Sequence, residues 1–193
     1  MTKLKPSIPH YYLYGETSPF DELEFLHIEQ LSYRSFLFNW EITPHRHDNL
    51  FQIVFFEDGH LTAMIDTIEK HCFGCTIVSI PPTVVHGFSM HPNARGYVIT
   101  VAESFLSNLF PDSEMEEFQL IYDKPSITQL DPSKIESSNI SFFVKQLVNE
   151  YKQNKLGHIP MVGAYLKILL ISIYRQATLL KKSKLENSKQ QKI

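Results

Sequence analysis

The sequence predicts a mainly β domain, a sandwich or barrel, followed by C-terminal α-helices. Residues 22–102 contain short segments rich in β-branched and aromatic residues, separated by turn signals such as Asp58-Gly59 and Pro81-Pro82. Many short strands with regularly spaced turns are typical of sandwiches and barrels. Beyond Ala102 the apolar residues adopt the spacing of amphipathic helices. These observations together indicate the fold class.

The predicted strands, in chain order, are ELEFLHIEQL, RSFLFNWEI, LFQIVFFE, HLTAMIDTI, CTIVSIPP, VVHGFSM and GYVITVA. LFQIVFFE is apolar at nearly every position, so we expect it to be covered on both faces. Cys72 and Cys75 in HCFGC have the spacing of a redox pair or of half a zinc site. No helical pattern follows them, so we favour a strand–turn–strand corner at Phe73-Gly74 with two ordinary thiols.

The predicted helices begin with the short segment ESFLSNLF, which an irregular connection, PDSEMEEFQLIYDKP, separates from the next helix. Asp131-Pro132 resembles a helix N-cap followed by a first-turn proline. The helix after it carries one apolar stripe, made of Ile140, Phe143, Val144, Leu147, Val148 and Tyr151. The last helix, about residues 160–181, is apolar around most of its circumference. It must bury more than one face. The barrel and the preceding helix offer two covering surfaces and a second chain offers a third, so we predict a homodimer through the C-terminal helices.

Composition excludes several classes of protein. The net charge of −3 and the isoelectric point near 6.3 are unlike those of a nucleic-acid-binding chain. The first residues lack the apolar core of a secretory signal. The longest apolar stretch, MVGAYLKILLISIY, contains Lys167 and is too short to cross a bilayer. We therefore expect a cytoplasmic protein without a membrane partner.

Histidines dominate the candidate site. His45 and His47 are two residues apart, so in a strand their side chains point the same way. His86 begins a later predicted strand. Three imidazoles of this kind either bind a metal ion or line a pocket for a small molecule. The spacing alone leaves both possibilities open.

These segments resemble the first cupin motif, which is His-x-His followed by a glutamate and then a glycine. His45, His47, Gln52 and Gly59 match its spacing, with glutamine in place of glutamate. The resemblance implies a double-stranded β-helix (jelly-roll) barrel whose open end holds the three histidines. Because Gln52 carries no charge, a divalent ion would be held by neutral imidazoles and a weak amide. The same amide is also suited to hydrogen bonding.

The second cupin motif is matched less closely. It resembles the stretch from Gly74 through Pro81 to His86, with one extra residue after the glycine. Thr83 stands at a usual glycine, and Met90 stands where asparagine is common.

A narrower resemblance concerns PHRHDNLFQIVFF, IPPTVVHGF and GYVITVAESFL, which are preceded by IPHYYLYGE. These segments are similar to the N-terminal sensor domain of AraC-type transcriptional regulators, particularly activators of hydroxylated aromatic acid catabolism. The resemblance implies an N-terminal arm (1–21), a cupin sensor barrel (22–110), a helical linker or dimerisation region (111–182) and a flexible tail (183–193). The tail would lead to a helix-turn-helix domain that is missing from this sequence, and we expect DNA contact only through that domain.

The predicted function is therefore effector sensing, without enzymatic activity and without a cofactor. The effector implied by the resemblance is a small aromatic acid of the hydroxybenzoate or hydroxyphenylacetate type. The predicted ligand-binding residues are His45, His47, Gln52, His86, Arg34 and Trp40. Predicted aromatic walls are Phe36, Phe38, Trp40, Phe51, Phe88 and Tyr97.

Arg34 shares strand parity with Phe36, Phe38 and Trp40, so it is a candidate anchor for the ligand carboxylate; otherwise it is an ordinary surface arginine. The main alternative function is a metal-dependent cupin enzyme, similar to a non-haem iron dioxygenase, in which His45, His47 and His86 bind the metal. A dimerisation module with a vestigial pocket is a third interpretation.

Overall fold

The computed structural model of the protein describes residues 26–110, 122–153 and 155–190. The predicted N-terminal arm and most of the predicted irregular connection lie outside these residues. The described strands are β1 Leu26–Gln30, β2 Glu41–His45, β3 Leu50–Asp58, β4 His60–Ile65, β5 Ile68–Phe73, β6 Thr76–Ile80, β7 His86–Met90, β8 Arg95–Ala102 and β9 Ser126–Gln129. The described helices are α1 Leu31–Leu37, α2 Glu103–Leu109, α3 Ile135–Lys152 and α4 His158–Gln190.

The strands form two antiparallel sheets. One has the order β1-β8-β3-β6-β9 and the other the order β2-β7-β4-β5. From β3 to β8 the chain crosses repeatedly between the two sheets, which is the topology of a jelly-roll, or double-stranded β-helix. The predicted fold class, a mainly β barrel of the cupin type followed by C-terminal helices, is confirmed.

β3 separates the two parts of the hydrophobic core. Its even-numbered residues, among them Val54 and Phe56, face the interior of the barrel. Its odd-numbered residues Phe51, Ile53 and Phe55 face outward and pack against the C-terminal helices. Residues 50–56 are consequently all buried, so the prediction that this strand is covered on both faces is confirmed.

The C-terminal helices cover the outer face of the five-stranded sheet. From α3 the buried residues include Ile140, Val144 and Leu147, which belong to the predicted apolar stripe. α4 packs against α3 and continues to Gln190, beyond the predicted end near residue 181. Its first part also leaves large apolar side chains exposed to solvent. None of the described helices is both long enough and apolar enough to span a membrane.

The prediction of a strand over RSFLFNWEI is wrong. Residues 31–37 form α1, and the chain then turns through Asn39 and Trp40, whose φ angles are +52° and +63°. Leu31 and Ser35, one helical turn apart, are buried beneath the helix, whereas Phe36 is exposed. The alternating aromatic residues that suggested a strand are therefore not a buried face.

Three further differences concern element boundaries. HLTAMIDTI is a hairpin of β4 and β5 that turns at Asp66 rather than one strand. α3 begins at Ile135 rather than after Asp131, because the Asp131 carboxylate accepts hydrogen bonds from the backbone N–H and the hydroxyl of Ser133 in a local turn. β9, which the sequence did not predict, pairs with β6 at the edge of the sheet.

The cysteine pair lies at a strand–turn–strand corner, as predicted. β5 ends at Phe73, Gly74 turns with φ +69°, and β6 begins at Thr76. Cys72 and Cys75 are both free and buried, and they belong to different parts of the core. Burial raises the pKa of both thiols, which disfavours the reactive thiolate.

Candidate ligand-binding site

Pairing between β2 and β7 brings the histidines together. His45 is the last residue of β2 and lies directly opposite His86, the first residue of β7. His47 follows two residues later, and its carbonyl oxygen accepts a hydrogen bond of 2.7 Å from the backbone N–H of Thr83. The loop before β7 therefore fixes the position of His47.

The three imidazoles form a tight buried cluster. The ring centroids of His45 and His86 are 4.2 Å apart, those of His45 and His47 4.9 Å, and those of His47 and His86 5.4 Å. One ring nitrogen from each histidine lies within 4.8 Å of the other two. Each residue is only 2% exposed. This arrangement is compact enough for one metal ion or for one polar group of a ligand.

Backbone carbonyl groups fix the tautomers of two histidines. His45 Nδ1 lies 3.0 Å from the oxygen of Thr43, and His86 Nδ1 lies 2.9 Å from the oxygen of Val84. A carbonyl oxygen only accepts, so each Nδ1 carries the hydrogen, and the Nε2 of His86 carries a lone pair. His86 Nε2 is buried and has no hydrogen-bond partner among the described residues.

Burial keeps the imidazoles of His45 and His86 neutral. Burial, together with the neighbouring His47, lowers the pKa of His45 to about 3. Burial and the neighbouring His45 lower the pKa of His86 well below its ordinary range. Carbonyl hydrogen bonds act in the opposite direction in both cases but do not offset burial. At neutral pH His45 and His86 are therefore uncharged and offer no positive charge to a ligand.

A cavity adjoins the cluster inside the barrel. Its volume is about 40 Å³, and it opens to solvent. Its lining consists of Glu29, Leu31, Ser35, Ile42, His45, Gln52, Val54, His86, Phe88, Met90 and Val98. Most of these side chains are apolar, and a few polar groups converge among them, which is the usual composition of a small-molecule site. Gln52 Nε2 donates to Thr100 Oγ1 at 3.1 Å, which holds the Gln52 amide in place.

The structure brings together part of the predicted site. His45, Gln52 and His86 line the cavity, and His47 belongs to the histidine cluster beside it. Trp40 is half-buried against the barrel core and is not among the described lining residues. Arg34 lies in α1, and its side chain is outside the described residues. The strand alternation proposed to align Arg34 with Trp40 is wrong, because the segment is helical.

Of the predicted aromatic walls, Phe88 lines the cavity. Phe36 is exposed on α1, and Phe51 faces the C-terminal helices on the other side of β3. Tyr97 also packs toward the helices. Aromatic content alone did not distinguish the two faces of the sheet.

Sequence reasoning missed Glu29, Ser35 and Gly87. Leu26 and Ile28 face the helices, so alternation along β1 directs Glu29 toward the barrel interior, and this signal was available in the sequence. Ser35 depends on α1, which was not predicted. At Gly87 a Cβ atom would lie 2.8 Å from the oxygen of Ile42. β7 therefore approaches β2 too closely for any side chain beside the histidine pair.

Comparison with protein-family models and with curated proteins finds no match for this sequence. Solved structures share parts of the fold. An uncharacterized conserved protein with a double-stranded β-helix domain from Klebsiella pneumoniae is 25% identical over 33% of this chain and 56% of its own, with a TM-score of 0.29. A cupin protein from Bacteroides fragilis is 12% identical over 46% of this chain and 83% of its own, with a TM-score of 0.32.

Another neighbour is ToxT from Vibrio cholerae. Its structure with a bound unsaturated fatty acid is 9% identical over 78% of this chain and 53% of its own, with a TM-score of 0.42. A second ToxT structure contains (E)-4-(8-methylnaphthalen-1-yl)but-3-enoic acid and has a TM-score of 0.44. The chain thus spans a little over half the length of ToxT and of the Klebsiella protein.

Proposed function

We propose that this chain is the effector-binding domain of a transcriptional regulator, and that its barrel cavity binds a small aromatic acid. The observation that carries the proposal is the apolar cavity with convergent polar groups beside the buried histidine cluster. The sequence resemblance to AraC-type sensor domains supports the regulatory role and the class of effector.

An aromatic acid matches the chemistry of the lining. Its ring would pack against Ile42, Val54 and Phe88, and its polar substituents would bond to the imidazoles and to Gln52. An engineered apolar cavity of roughly 150 Å³ binds benzene. The cavity here, about 40 Å³, therefore has to widen when an aromatic ring enters it. Arg34 remains a proposed anchor for the carboxylate.

β3 provides a physical connection between the cavity and the C-terminal helices. Gln52 lines the cavity, while Phe51 and Ile53 on the other face of the same strand pack against the helical layer. If the effector binds more tightly to the protein in one arrangement of the helices than in another, its binding raises the population of that arrangement. In the proposed regulator this shift reaches DNA through a helix-turn-helix domain beyond this sequence, in a homodimer formed by the C-terminal helices.

The direct test is ligand binding to the EDTA-treated protein. Thermal shift and isothermal titration would be run with 4-hydroxybenzoate, 4-hydroxyphenylacetate and the fatty acid oleate. We expect an aromatic acid to raise the melting temperature by several degrees and to bind with one site per chain. If only oleate binds, the domain is still a ligand-binding domain, but the proposal that its effector is an aromatic acid is wrong. If none of the acids binds, the proposal is wrong.

A metal-dependent cupin enzyme is the second candidate, and one observation favours it. Three buried imidazoles with ring nitrogens within 4.8 Å of one another fit a divalent transition metal. Carbonyl groups on Nδ1 orient the rings of His45 and His86 as second-shell partners orient metal-binding histidines. Elemental analysis of protein purified without chelator tests it: near-stoichiometric metal in the wild type, lost in His86→Ala, together with turnover of an oxidisable substrate, would favour the enzyme.

A further inference from the structure

We infer that α1 is the movable wall of the cavity, and that Leu31 and Ser35 on its inner side determine how large a ligand the cavity accepts. The inference rests on the proposed function, since it names the element that gives way when an aromatic acid enters the barrel. α1 moves outward, and the side chains of Leu31 and Ser35 move with it, while the paired strands keep their places.

The cavity lies at a seam between the two sheets. β1 is an edge strand of the five-stranded sheet, and β2 is an edge strand of the four-stranded sheet. Glu29 from β1 and Ile42 from β2 both line the cavity, and α1 connects these two strands. Leu31 and Ser35, about one helical turn apart, continue the lining between them. On this side the wall is therefore a seven-residue helix rather than a pair of hydrogen-bonded strands.

Strand pairing fixes the other walls. β3 is paired with both β6 and β8, and β7 is paired with both β2 and β4. Separating such strands would leave backbone N–H and C=O groups without partners. The seam at the opposite edges of the sheets is bridged, because Lys70 Nζ donates to the oxygen of Ile127 at 3.4 Å and Gln129 Nε2 donates to the oxygen of Phe73 at 3.0 Å. Outward movement of α1, by contrast, breaks no strand pairing.

The attachment of α1 to the barrel is mainly apolar. Leu31 packs in the barrel core, and Ser35 Oγ donates to Met90 Sδ at 3.7 Å, which is a weak acceptor. Tyr33 and Phe36, on the outer side of the helix, are exposed. The described part of the chain thus leaves space for α1 to move away from the cavity.

The residues that follow α1 are suited to absorb this movement. Asn39 and Trp40 have φ angles of +52° and +63°, a region that a bulky side chain rarely adopts. Short segments at the ends of elements commonly absorb the dihedral changes of a moving part. The N–H of Trp40 donates to the oxygen of Ser35 at 2.6 Å, and its oxygen accepts from the N–H of Met90 at 2.9 Å. Trp40 therefore connects α1 with β7, and a movement of α1 changes its surroundings.

The small volume of the cavity gives this wall its effect on affinity. At about 40 Å³ the cavity is smaller than the engineered cavity of roughly 150 Å³ that binds benzene. Binding of an aromatic ring to the wild type therefore includes the free energy of displacing α1, which lowers the apparent affinity. Shortening the Leu31 side chain provides space while α1 stays in place.

The test uses isothermal titration of the EDTA-treated 193-residue chain with 4-hydroxybenzoate and with the two-ring acid 6-hydroxy-2-naphthoate. We expect the wild type to bind the one-ring acid at least about tenfold more tightly than the two-ring acid. Leu31→Ala should bind both acids more tightly, and the two-ring acid by at least about tenfold. Leu31→Val, a smaller truncation, should change both affinities less and in the same direction, which keeps the test decisive if Leu31→Ala does not fold.

Trp40 reports the movement itself, because it is the single tryptophan of the sequence. We expect 4-hydroxybenzoate to change the tryptophan emission and its quenching by acrylamide in the wild type. In Leu31→Ala, where the ring fits without displacement of α1, saturating ligand should produce less than half of that change.

Matched variants assign these effects to the inner side of α1. Leu61→Ala removes the same group from the same core, but Leu61 lies on β4 and is not among the described lining residues. It should lower stability without tightening ligand binding. Ser35→Leu should fill the cavity and weaken binding of both acids at least about tenfold. Tyr33→Leu, on the 68% exposed outer side of the helix, should leave both affinities unchanged.

The outcomes separate this inference from the proposed function. If the acids bind but Leu31→Ala binds them no more tightly than the wild type, or if Leu61→Ala tightens binding equally, the inference is wrong while the effector-binding role stands. Unchanged Trp40 fluorescence on binding to the wild type would also overturn it. If the acids bind to Leu31→Ala and not to the wild type, α1 is the wall but the proposed aromatic effector is wrong. If no variant binds either acid, both proposals are wrong.

Discussion

Thr83 adopts a backbone conformation that threonine rarely adopts, with φ +67°. Its N–H donates to the oxygen of His47, so the strained residue positions one member of the histidine cluster. Such strain costs on the order of 1–3 kcal/mol. It also explains why glycine is usual at this place in the cupin motif, since glycine adopts positive φ without that penalty.

Replacing Thr83 with glycine should therefore stabilise the protein. We expect the free energy of unfolding to increase by about 1 kcal/mol, because the relief of strain exceeds the extra backbone entropy of glycine in the unfolded chain. Urea denaturation measures the change. The free energy of unfolding should increase less in Thr83→Ala, because the Cβ atom of alanine keeps the positive φ angle unfavourable. A less stable glycine variant would mean that the threonine side chain makes a compensating contact.

The sequence predicted some site residues and not others for a physical reason. Local motifs can be recognised directly in the amino-acid sequence. They identified His45, His47 and Gln52 by their spacing, and His86 by its position before a strand. Arg34 was assigned to a strand face that does not exist, because its segment is a helix. Ser35 reaches the cavity through tertiary packing of α1, which no local pattern records, whereas the alternation along β1 could have identified Glu29.

Among the secondary-structure elements, the close pairing of β2 with β7 is decisive for the site, and Gly87 permits it. A Cβ atom at this position would lie 2.8 Å from the oxygen of Ile42 and 3.1 Å from the nitrogen of Pro44. Gly87→Ala should push β7 away from β2 and separate His86 from His45. We expect a loss of about 1–3 kcal/mol of stability, together with weaker binding of 4-hydroxybenzoate. Circular dichroism melting and isothermal titration measure the two effects.

Ser89→Ala is the control for the same strand, because Ser89 is exposed on β7 and its replacement should change neither quantity. If Gly87→Ala has normal stability and normal ligand affinity, the close approach of β7 to β2 is not needed to hold His86 beside His45.

Elements with a strong periodic pattern were predictable, and short elements held by tertiary contacts were not. β3 and α3 each carry a long apolar pattern that matches their burial. α1 has only seven residues and β9 only four, too few for a period to be recognised. α1 is stabilised by burial of Leu31 in the barrel core, and β9 by pairing with β6.

For the molecule as a whole, the buried histidines predict acid sensitivity. The pKa of His45 is about 3 in the folded protein against an ordinary value of 6.5, so the unfolded chain binds protons first as the pH falls. The contribution of the neutral imidazole to the free energy of unfolding is fully present above about pH 6.5. It declines as the pH drops toward the pKa of His45 in the folded protein. His45 alone accounts for a loss of about 2 kcal/mol between about pH 7 and pH 5, and His86 adds to it in the same direction.

Urea denaturation of the EDTA-treated protein at several pH values checks this dependence. The His71→Phe variant should show the same decline, because His71 is exposed and its imidazole is not part of the cluster. Histidine proton resonances of the cluster that titrate near pH 6.5 in the folded protein would show that burial does not keep these imidazoles neutral.

The proposed homodimer concerns the outer surface of α4. Met161, Ile168 and Leu179 are 46%, 40% and 50% exposed. Their spacings of seven and eleven residues place them on one face of the helix, because 3.6 residues make a turn. Apolar side chains aligned in this way are better buried against a second copy than left in water.

Ile168→Asp should convert a dimer into a monomer without loss of helical content, since the side chain contributes little to the core of one chain. Sedimentation equilibrium measures the mass, and Phe142→Asp, at an exposed apolar residue of α3, is the matched control that should remain dimeric. A wild-type chain that is monomeric at high concentration would contradict the interface, and a dimer disrupted only by Phe142→Asp would move it to α3.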